Sequence, residues 1–294
     1  MGLKQWQILS ISLILIICGN SLYSQVEGES KVTTIIIKKP DQYVIEDKQA
    51  GDSVVIEDYN TIENHALIIG INSYNDPALP DLDNPISDAT LFYISLIGNY
   101  TFDPENVIML KDPTRAQIIE KLDELSNTLT KRDNLLIFYA GHGSWDKRKD
   151  TGYWLPSDAD KSSTVNWIRN STIQDFIEDI DTQHTLLITD ACFAGAIFKP
   201  RSGFADASLA VNKVYAMPSR KAMTSGNYEQ VPDRSVFLEY LLKRLNDNEK
   251  KYISAREIYN SLVDAVLNNS PNVSRYGVIQ NTGDEGGDFI FIKR

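Results

Sequence analysis

Short apolar runs and amphipathic stretches alternate along the chain from residue 66 onwards. The apolar runs have the length and composition of buried parallel strands, and they lie at residues 66–71, 107–110, 135–138 and 186–188. Between these runs, apolar residues recur at helical spacing over residues 86–96, 118–129 and 173–180. The alternation from 66 to 192 predicts an α/β fold with a mostly parallel sheet and right-handed crossovers.

Local signals mark where further elements begin. Capping boxes, which start helices, occur at Thr114 with Gln117, Ser171 with Gln174, and Ser254 with Glu257. Later segments predict strands at 214–217, 222–225 and 288–292. Upstream, residues 32–37 predict an edge strand or a hairpin with residues 43–45.

Two of the predicted strands end in residues that can do chemistry. One runs into His142, which lies between two glycines, and the other runs into Cys192. Because the carboxyl ends of neighbouring parallel strands share one edge of a sheet, we expect the imidazole and the thiol to face each other. A positioned imidazole activates a thiol as a nucleophile. The N–H of Gly143 could join that of Cys192 in an oxyanion hole, so the pattern favours a cysteine–histidine hydrolase.

Composition narrows the function. The chain has 294 residues and a formal net charge of −11, which argues against nucleic acid as a partner. Three histidines and two cysteines are too few for a structural zinc site, and no Gly-rich phosphate loop is present. We therefore expect no nucleotide and no structural metal.

The N-terminus predicts export. Residues 1–24 have the form of a signal peptide, with cleavage expected after Ser24, and their apolar run is too short for stable membrane insertion. Lipoprotein processing at Cys18 is the alternative, although Ile17 is larger than the residue usually found before such a cysteine. The expected domains are the signal peptide, an N-terminal extension over 25–63 and a catalytic domain over 64–294. The mature, periplasmic or extracellular protein would keep one cysteine, Cys192, which favours a reactive role.

The histidine and cysteine segments resemble a known family. Residues 139–143 read Tyr-Ala-Gly-His-Gly, and residues 190–195, whose Cys192 lies 50 residues after His142, read Asp-Ala-Cys-Phe-Ala-Gly. A spacing of about 50 is typical of caspases. Over residues 64–294 the chain resembles caspase-like cysteine peptidases of family C14, and most closely metacaspases and their bacterial relatives. The resemblance implies a three-layer αβα sandwich with a mostly parallel central sheet.

The resemblance also implies roles for individual residues. Cys192 would be the nucleophile and His142 the general acid/base, with Gly143 and Cys192 forming the oxyanion hole. Asp190 and Asp88 match the acidic residues of the metacaspase S1 pocket, so a protein or peptide with Arg or Lys at the cleavage site is the expected substrate. Two simpler interpretations stay open: Asp190 could cap its turn, and Asp88 could complement its helix dipole.

One part of the metacaspase pattern is missing. Calcium-dependent metacaspases carry clustered aspartates after the histidine, whereas here Asp146 and Asp150 flank the basic residues 147–149. No metal or cofactor is therefore assigned, and the basic run is either a self-cleavage site or solvated loop charge. His65 and His184 are expected to be surface or strand-start residues.

Two other functions fit the same residues. One is a non-catalytic interaction module on the caspase fold. The other is an acyl-transferring relative, a transpeptidase or ligase, because the same dyad can pass an acyl group to an amine instead of to water.

Overall fold

The structure of the protein is a computed structural model that describes residues 62–191, 214–215, 217–226 and 235–294 in full. It also describes the backbone of short strands at 14–18, 21–28, 31–39, 42–47, 52–57 and 198–199. The chain divides into two compact units, Met1–Ile62 and Glu63–Arg294. Within the described residues, no helix has the length and apolarity needed to cross a membrane.

The first unit is an antiparallel sheet. Its strands pair in chain order as β1 (Ile14–Cys18), β2 (Ser21–Gly28), β3 (Lys31–Lys39), β4 (Gln42–Asp47) and β5 (Asp52–Glu57). The hairpin expected for residues 32–37 and 43–45 is present as the β3–β4 pair. Signal cleavage after Ser24 and lipid attachment at Cys18 remain predictions from the sequence.

The second unit contains the remaining strands and all the described helices. The strands are β6 (Glu63–Gly70), β7 (Phe102–Lys111), β8 (Asp133–Ala140), β9 (Gly143–Asp146), β10 (Thr151–Trp154), β11 (Ile168–Arg169), β12 (His184–Asp190), β13 (Phe198–Lys199), β14 (Ser219–Thr224), β15 (Tyr252–Ser254), β16 (Arg275–Ile279) and β17 (Ile290–Ile292). The helices are α1 (Pro85–Asn99), α2 (Arg115–Thr128), α3 (Asn170–Asp179), α4 (Val236–Asn246) and α5 (Ala255–Asn269).

A seven-stranded sheet in the order β13-β16-β14-β12-β8-β6-β7 forms the middle layer. From β14 to β7 every neighbouring pair is parallel, whereas β16 and β13 add an antiparallel margin. Helices α1, α4 and α5 pack on one face, and α2 and α3 pack on the other. This arrangement confirms the predicted αβα sandwich with a mostly parallel sheet.

Strand β8 shows why the predicted strands read as continuous apolar runs. Its side chains alternate between the two cores: Leu136 and Phe138 pack beneath α1, and Leu135 and Ile137 pack beneath α2 and α3. All four residues are fully buried. A strand covered on both faces cannot show the polar–apolar alternation of a half-exposed strand.

The local signals were confirmed in part. The capping boxes of Thr114 with Gln117 and of Ser254 with Glu257 are present at the starts of α2 and α5. The box predicted at Ser171 is wrong, because pairing of Arg169 with Tyr153 in the β10–β11 ladder leads the chain directly into α3 at Asn170. The strand predicted at 214–217 is also wrong, since Val214 and Tyr215 are helical and β14 begins only at Ser219.

Candidate active site

Three parallel strands end side by side at the edge of the sheet where chemistry was expected. Gly70 of β6, Ala140 of β8 and Asp190 of β12 lie in register in one row. Ala140 and Asp190 are each followed by one small residue and then by a member of the predicted dyad, His142 or Cys192. The structure describes the chain to Ala191, so Cys192 lies just outside the described residues.

Gly141 lets the chain turn tightly between β8 and His142. Its φ is 157°, a conformation that other residues rarely adopt. A Cβ at this position would lie 3.1 Å from the Tyr74 hydroxyl and 3.2 Å from the Tyr139 hydroxyl. The glycine therefore allows two tyrosines to approach the backbone that carries His142.

Those tyrosines hold the backbone of His142. Its N–H donates to Tyr74 Oη at 2.7 Å. Its carbonyl accepts from Tyr139 Oη at 2.7 Å and from the Leu155 N–H at 3.1 Å. Both polar backbone groups of His142 are thus bonded to residues from three different segments, which sets the position of its Cα.

A backbone carbonyl sets the orientation of the His142 ring. Nε2 lies 2.8 Å from Pro80 O, and because a carbonyl only accepts, Nε2 must carry the proton. In the neutral imidazole the lone pair is then on Nδ1. The Tyr74 ring packs against the imidazole with 4.7 Å between centroids. The contact with Pro80 O therefore places the proton of the neutral imidazole on Nε2 and leaves Nδ1 as the nitrogen that can accept a proton.

The loop between β6 and α1 carries this carbonyl. Tyr74 N–H donates to Asp81 Oδ1 at 2.9 Å, and Leu82 N–H donates to Asn72 O at 2.8 Å. These two bonds enclose Pro80 on the sheet edge. The sequence did not indicate Pro80, because the acceptor is a main-chain atom that any residue type would supply.

The N–H of Gly143 points away from its neighbouring strand. Gly143 is opposite Trp154 in the antiparallel β9–β10 pair, and the adjoining bond runs from Leu155 N–H to His142 O. This pattern makes Gly143 and Trp154 a non-hydrogen-bonded pair, whose N–H groups face outward. Since β9 is the edge of its three-stranded sheet, the Gly143 N–H is directed towards the open side. This outward direction is the one that the predicted oxyanion role of Gly143 requires.

Asp190 is buried in the same row. Its side chain lies on the face of Ala140 and is only 7% exposed. Burial raises the pKa of its carboxyl, and the hydroxyls of Ser235 and Ser225 act in the opposite direction and lower it. Oδ1 nevertheless has no hydrogen-bond partner among the described residues. The alternative prediction was that Asp190 caps the turn that follows it. From Cys192 onwards that turn lies outside the described residues.

Asp88 is on the same side of the sheet. It lies, half-buried, in the first turn of α1, whose N-terminal end rests on Gly70. A Cβ on Gly70 would lie 2.8 Å from Pro85 O, so only glycine allows this close approach. The helix start is therefore near the strand ends, as the pocket interpretation of Asp88 requires, whereas the dipole interpretation needs only its position in the first turn.

The other histidines differ from each other. His65 is half-buried at the opposite end of β6, 3.6 Å from Glu63 and 3.5 Å from Asp133. His184 begins β12, which confirms the strand-start alternative of the prediction, and its side chain is fully buried. Its Nε2 donates to Tyr215 O at 3.0 Å and its Nδ1 accepts from Ser219 Oγ at 2.8 Å. Burial lowers the pKa of His184 to about 3.

The segment after His142 is ordered by its own hydrogen bonds. Asp146 Oδ1 accepts from the N–H groups of Arg148 and Lys149 at 2.9 and 3.3 Å, which closes the turn between β9 and β10. The three residues of the basic run, 147–149, are exposed on this turn. The segment that carries the basic run is thus a short β-hairpin beside the candidate site.

Comparisons with known proteins identify the family and the fold. A family model described as "Caspase domain" matches residues 63–282. The chain is 30% identical over 148 residues to metacaspase-6 of Arabidopsis thaliana, covering 45% of this chain and 38% of the relative. It is 29% identical over 131 residues to metacaspase-1 of Eremothecium gossypii, covering 41% of this chain and 28% of that relative. The matched region thus spans well under half the length of these curated relatives.

Solved structures show the same fold at low identity. Caspase-1 from Spodoptera frugiperda aligns with a TM-score of 0.53 and 12% identity, covering 74% of this chain and 87% of that chain. Protein GSU0716 from Geobacter sulfurreducens aligns with a TM-score of 0.51 and 16% identity, covering 76% of this chain and 97% of that one.

Proposed function

The chain belongs to the Peptidase C14 family of caspase-domain proteins, and we propose that it is a cysteine endopeptidase that cleaves peptide bonds after Arg or Lys. The observation that carries the proposal is the hydrogen bond from His142 Nε2 to Pro80 O, 2.8 Å long. It leaves Nδ1 as the basic atom at the strand edge where Cys192 follows in the sequence. Family membership supports the cysteine peptidase class, and the residue roles and the specificity are our proposal.

The reaction uses one base in two steps. Nδ1 of His142 takes the thiol proton, Cys192 Sγ bonds to the peptide carbonyl carbon, and the carbonyl electron pair moves onto oxygen. As the C–N bond breaks, the imidazolium returns its proton to the leaving amine and a thioester remains. Water then attacks the thioester, giving a proton to Nδ1, and the thiol leaves reprotonated.

Backbone N–H groups stabilise the charge that develops on oxygen. The outward N–H of Gly143 would donate to it, together with the N–H of Cys192. Because the backbone of His142 is bonded to Tyr74, Tyr139 and Leu155, the adjoining Gly143 would need little rearrangement during the reaction. A donor held in advance stabilises the transition state without a cost of reorganisation.

Asp190 supports the preference for basic residues. Within the part of the chain that the structure describes, one oxygen of this buried carboxylate has no partner, which is unfavourable, and a substrate guanidinium or ammonium would supply a charge-assisted bond. Arg would bind better than Lys because a guanidinium can bond both to the carboxylate and to a neighbouring oxygen such as Ser225 Oγ. An acidic side chain would be repelled.

The test is a panel of fluorogenic peptides with Arg, Lys, Asp or Leu at the cleavage site, with a Cys192→Ala protein as control. We expect cleavage after Arg and Lys that disappears in the control. Cleavage after Asp would keep the dyad and refute the acidic pocket. If no peptide of the panel is cleaved, also after addition of calcium and after limited proteolysis, peptidase activity is refuted and an interaction module is favoured.

We also propose that the protein is exported. The support comes from the sequence, in which the apolar run before Ser24 has signal-peptide form. A peptidase whose one remaining cysteine is its nucleophile would be suited to an oxidising compartment, because the mature chain offers no second thiol for an internal disulfide.

A further inference from the structure

We propose that Asp112 is a positioning residue for His142, because its carboxylate holds the loop that orients the imidazole. The inference rests on the function proposed above. Asp112 touches neither the imidazole nor the cysteine segment in the described contacts, and it would act through the β6–α1 loop. The side chain of Asp112 does not cap the nearby helix α2, because Thr114 supplies that cap.

Asp112 adopts a backbone conformation that is costly for most residues. It directly follows β7, and its φ is 47°, in the left-handed region. Its N–H donates to Gly70 O at 2.9 Å, which ties it to the end of β6. Asp and Asn tolerate this region better than other residues with a side chain, and such strain concentrates at functional sites.

The carboxylate that this conformation presents accepts two hydrogen bonds from the loop. Asp112 Oδ1 lies 2.7 Å from the N–H of Asn72 and 2.9 Å from the N–H of Ser73. Bonds from N–H groups to a carboxylate are stronger than bonds between neutral groups. Strand β6 ends at Gly70, and Ile71 follows it. Asp112 Oδ1 therefore holds the next two residues of the loop, Asn72 and Ser73.

Asn72 transmits this restraint along the loop. Its side-chain oxygen accepts from Ile86 N–H at 2.8 Å, its amide donates to Asp83 O at 3.1 Å, and its carbonyl accepts from Leu82 N–H at 2.8 Å. The residues immediately after Pro80 are therefore bonded to the residue that Asp112 holds. Pro80 O, the acceptor for His142 Nε2, lies within this closed loop.

Tyr74 provides a second connection to His142. It follows Ser73, its N–H donates to Asp81 Oδ1, and its hydroxyl accepts from the His142 N–H at 2.7 Å. Its ring also packs against the imidazole. Pro80 O and Tyr74 together determine the orientation of the His142 ring. Both belong to the β6–α1 loop, whose first part is held by the Asp112 carboxylate.

Removing the carboxylate should loosen the loop without touching the reacting groups. The N–H groups of Asn72 and Ser73 would lose their acceptor, and Pro80 O would no longer be held opposite Nε2. A displacement of about 1 Å away from the chemistry can cost on the order of 100-fold in rate. We expect kcat to fall about 10- to 100-fold with a smaller change in KM, because Asp190, the buried pocket residue, belongs to β12 and not to this loop.

Two substitutions separate the carboxylate from the backbone conformation. Asp112→Gly keeps the left-handed conformation and removes the acceptor, whereas Asp112→Asn keeps a side-chain oxygen that can accept both bonds. Asp150→Gly is the matched control, because Asp150 also has a positive φ, 51°, and is exposed on the β9–β10 turn. We expect the loss of kcat in Asp112→Gly alone, with most of the activity retained in Asp112→Asn.

The imidazole itself gives a readout that needs no activity. In a Cys192→Ala protein labelled with ¹⁵N, the ring nitrogens of the three histidines report which nitrogen carries the proton. A His142→Gln spectrum assigns His142. We expect protonated Nε2 in the parent and in Asp112→Asn, and a mixture of tautomers in Asp112→Gly.

The outcomes distinguish this inference from the proposed function. If the parent cleaves no peptide, the proposed function fails, and the tautomer of His142 still tests Asp112. If Asp112→Gly keeps both kcat and the Nε2–H tautomer, the positioning role is refuted. It is also refuted if Asp112→Gly loses activity only in proportion to its folded fraction, measured by thermal unfolding, while the imidazole signals are unchanged.

Discussion

The carbonyl oxygen of Pro80 lies 2.8 Å from Nε2 of His142. Through this contact the loop that precedes α1 decides which nitrogen of the His142 imidazole, between β8 and β9, carries the proton. The proton is held on Nε2, and Nδ1 is left to accept a proton at the strand edge where Cys192 follows in the sequence. The chemistry expected at this edge therefore depends on a backbone atom as well as on side chains.

Replacing either member of the dyad should abolish peptide cleavage. We expect Cys192→Ala and His142→Gln each to lower kcat/KM by about 1,000-fold or more, because nucleophile and base act as a unit. His65→Gln is the matched control, since His65 lies at the opposite end of β6, and it should keep kcat/KM within about twofold. Comparable activity in the parent and either dyad variant would contradict the assigned roles.

Asp190→Asn should selectively weaken cleavage after basic residues. We expect kcat/KM for Arg and Lys peptides to fall about 10- to 100-fold, because a bond between two charged groups becomes one to a neutral amide. The rate of Cys192 alkylation by iodoacetamide should be unchanged. Asp88→Asn, tested in parallel, should lower the same kcat/KM if Asp88 lines the pocket, and only the unfolding free energy if it complements the α1 dipole.

Cleavage after Arg should also weaken in acid. Burial raises the pKa of Asp190, so its carboxylate becomes protonated at a higher pH than an exposed aspartate. A neutral carboxyl loses its attraction for a guanidinium, and KM for Arg peptides should therefore rise as the pH falls towards this raised pKa. In Asp190→Asn the KM should depend less on pH. An equal dependence in both proteins would show that another group is responsible.

Gly141→Ala should destabilise the site. Its Cβ would lie within 3.2 Å of both tyrosine hydroxyls, and alanine is strained at a φ of 157°. We expect the unfolding free energy to fall by about 1–3 kcal/mol, measured by urea denaturation. Gly98→Ala is the contrasting change, because no atom lies within 4 Å of a Cβ there and the residue is in α1. The unfolding free energy of the Gly98→Ala protein should rise by about 0.5–1 kcal/mol.

His184 should make the protein less stable as the pH falls. Its pKa is about 3 in the folded chain, against 6.5 as the ordinary value, so between these pH values only the unfolded chain binds the proton. The contribution of His184 to the unfolding free energy is therefore fully present above pH 6.5. It decreases as the pH falls below 6.5, by at most about 1.4 kcal/mol per pH unit. Asp190 and Asp288, with raised pKa values, oppose this trend. The difference between parent and His184→Asn in urea titrations isolates the histidine, and parallel curves would contradict the prediction.

Export predicts the start of the mature chain. In a bacterial host that secretes proteins, N-terminal sequencing and intact mass should give Gln25 as the first residue. A lipid-modified chain beginning at Cys18 would instead support lipoprotein processing. A chain that keeps Met1 would contradict both forms of processing.

The local elements could be predicted because their causes are local. The fully apolar runs that became β6, β8 and β12 and the capping boxes at Thr114 and Ser254 depend on residues close together in the chain. The α3 box failed because a strand pairing, Arg169 with Tyr153, set the start of that helix. Long-range pairing overrode the local signal there.

The sequence by itself determined the α/β class with a mostly parallel sheet and the positions of His142 and Cys192 after strands of one sheet, since apolar periodicity and parallel connection rules depend on residue type and order. The three-layer αβα sandwich was implied by the family resemblance. Only the tertiary structure decided that Nε2 of His142 carries the proton, that Asp190 is buried with one oxygen that has no partner among the described residues, and that His184 is in the interior. Each depends on atoms brought together from distant segments. In the first case the decisive atom is a carbonyl oxygen that every residue has, so no pattern of residue types could reveal it.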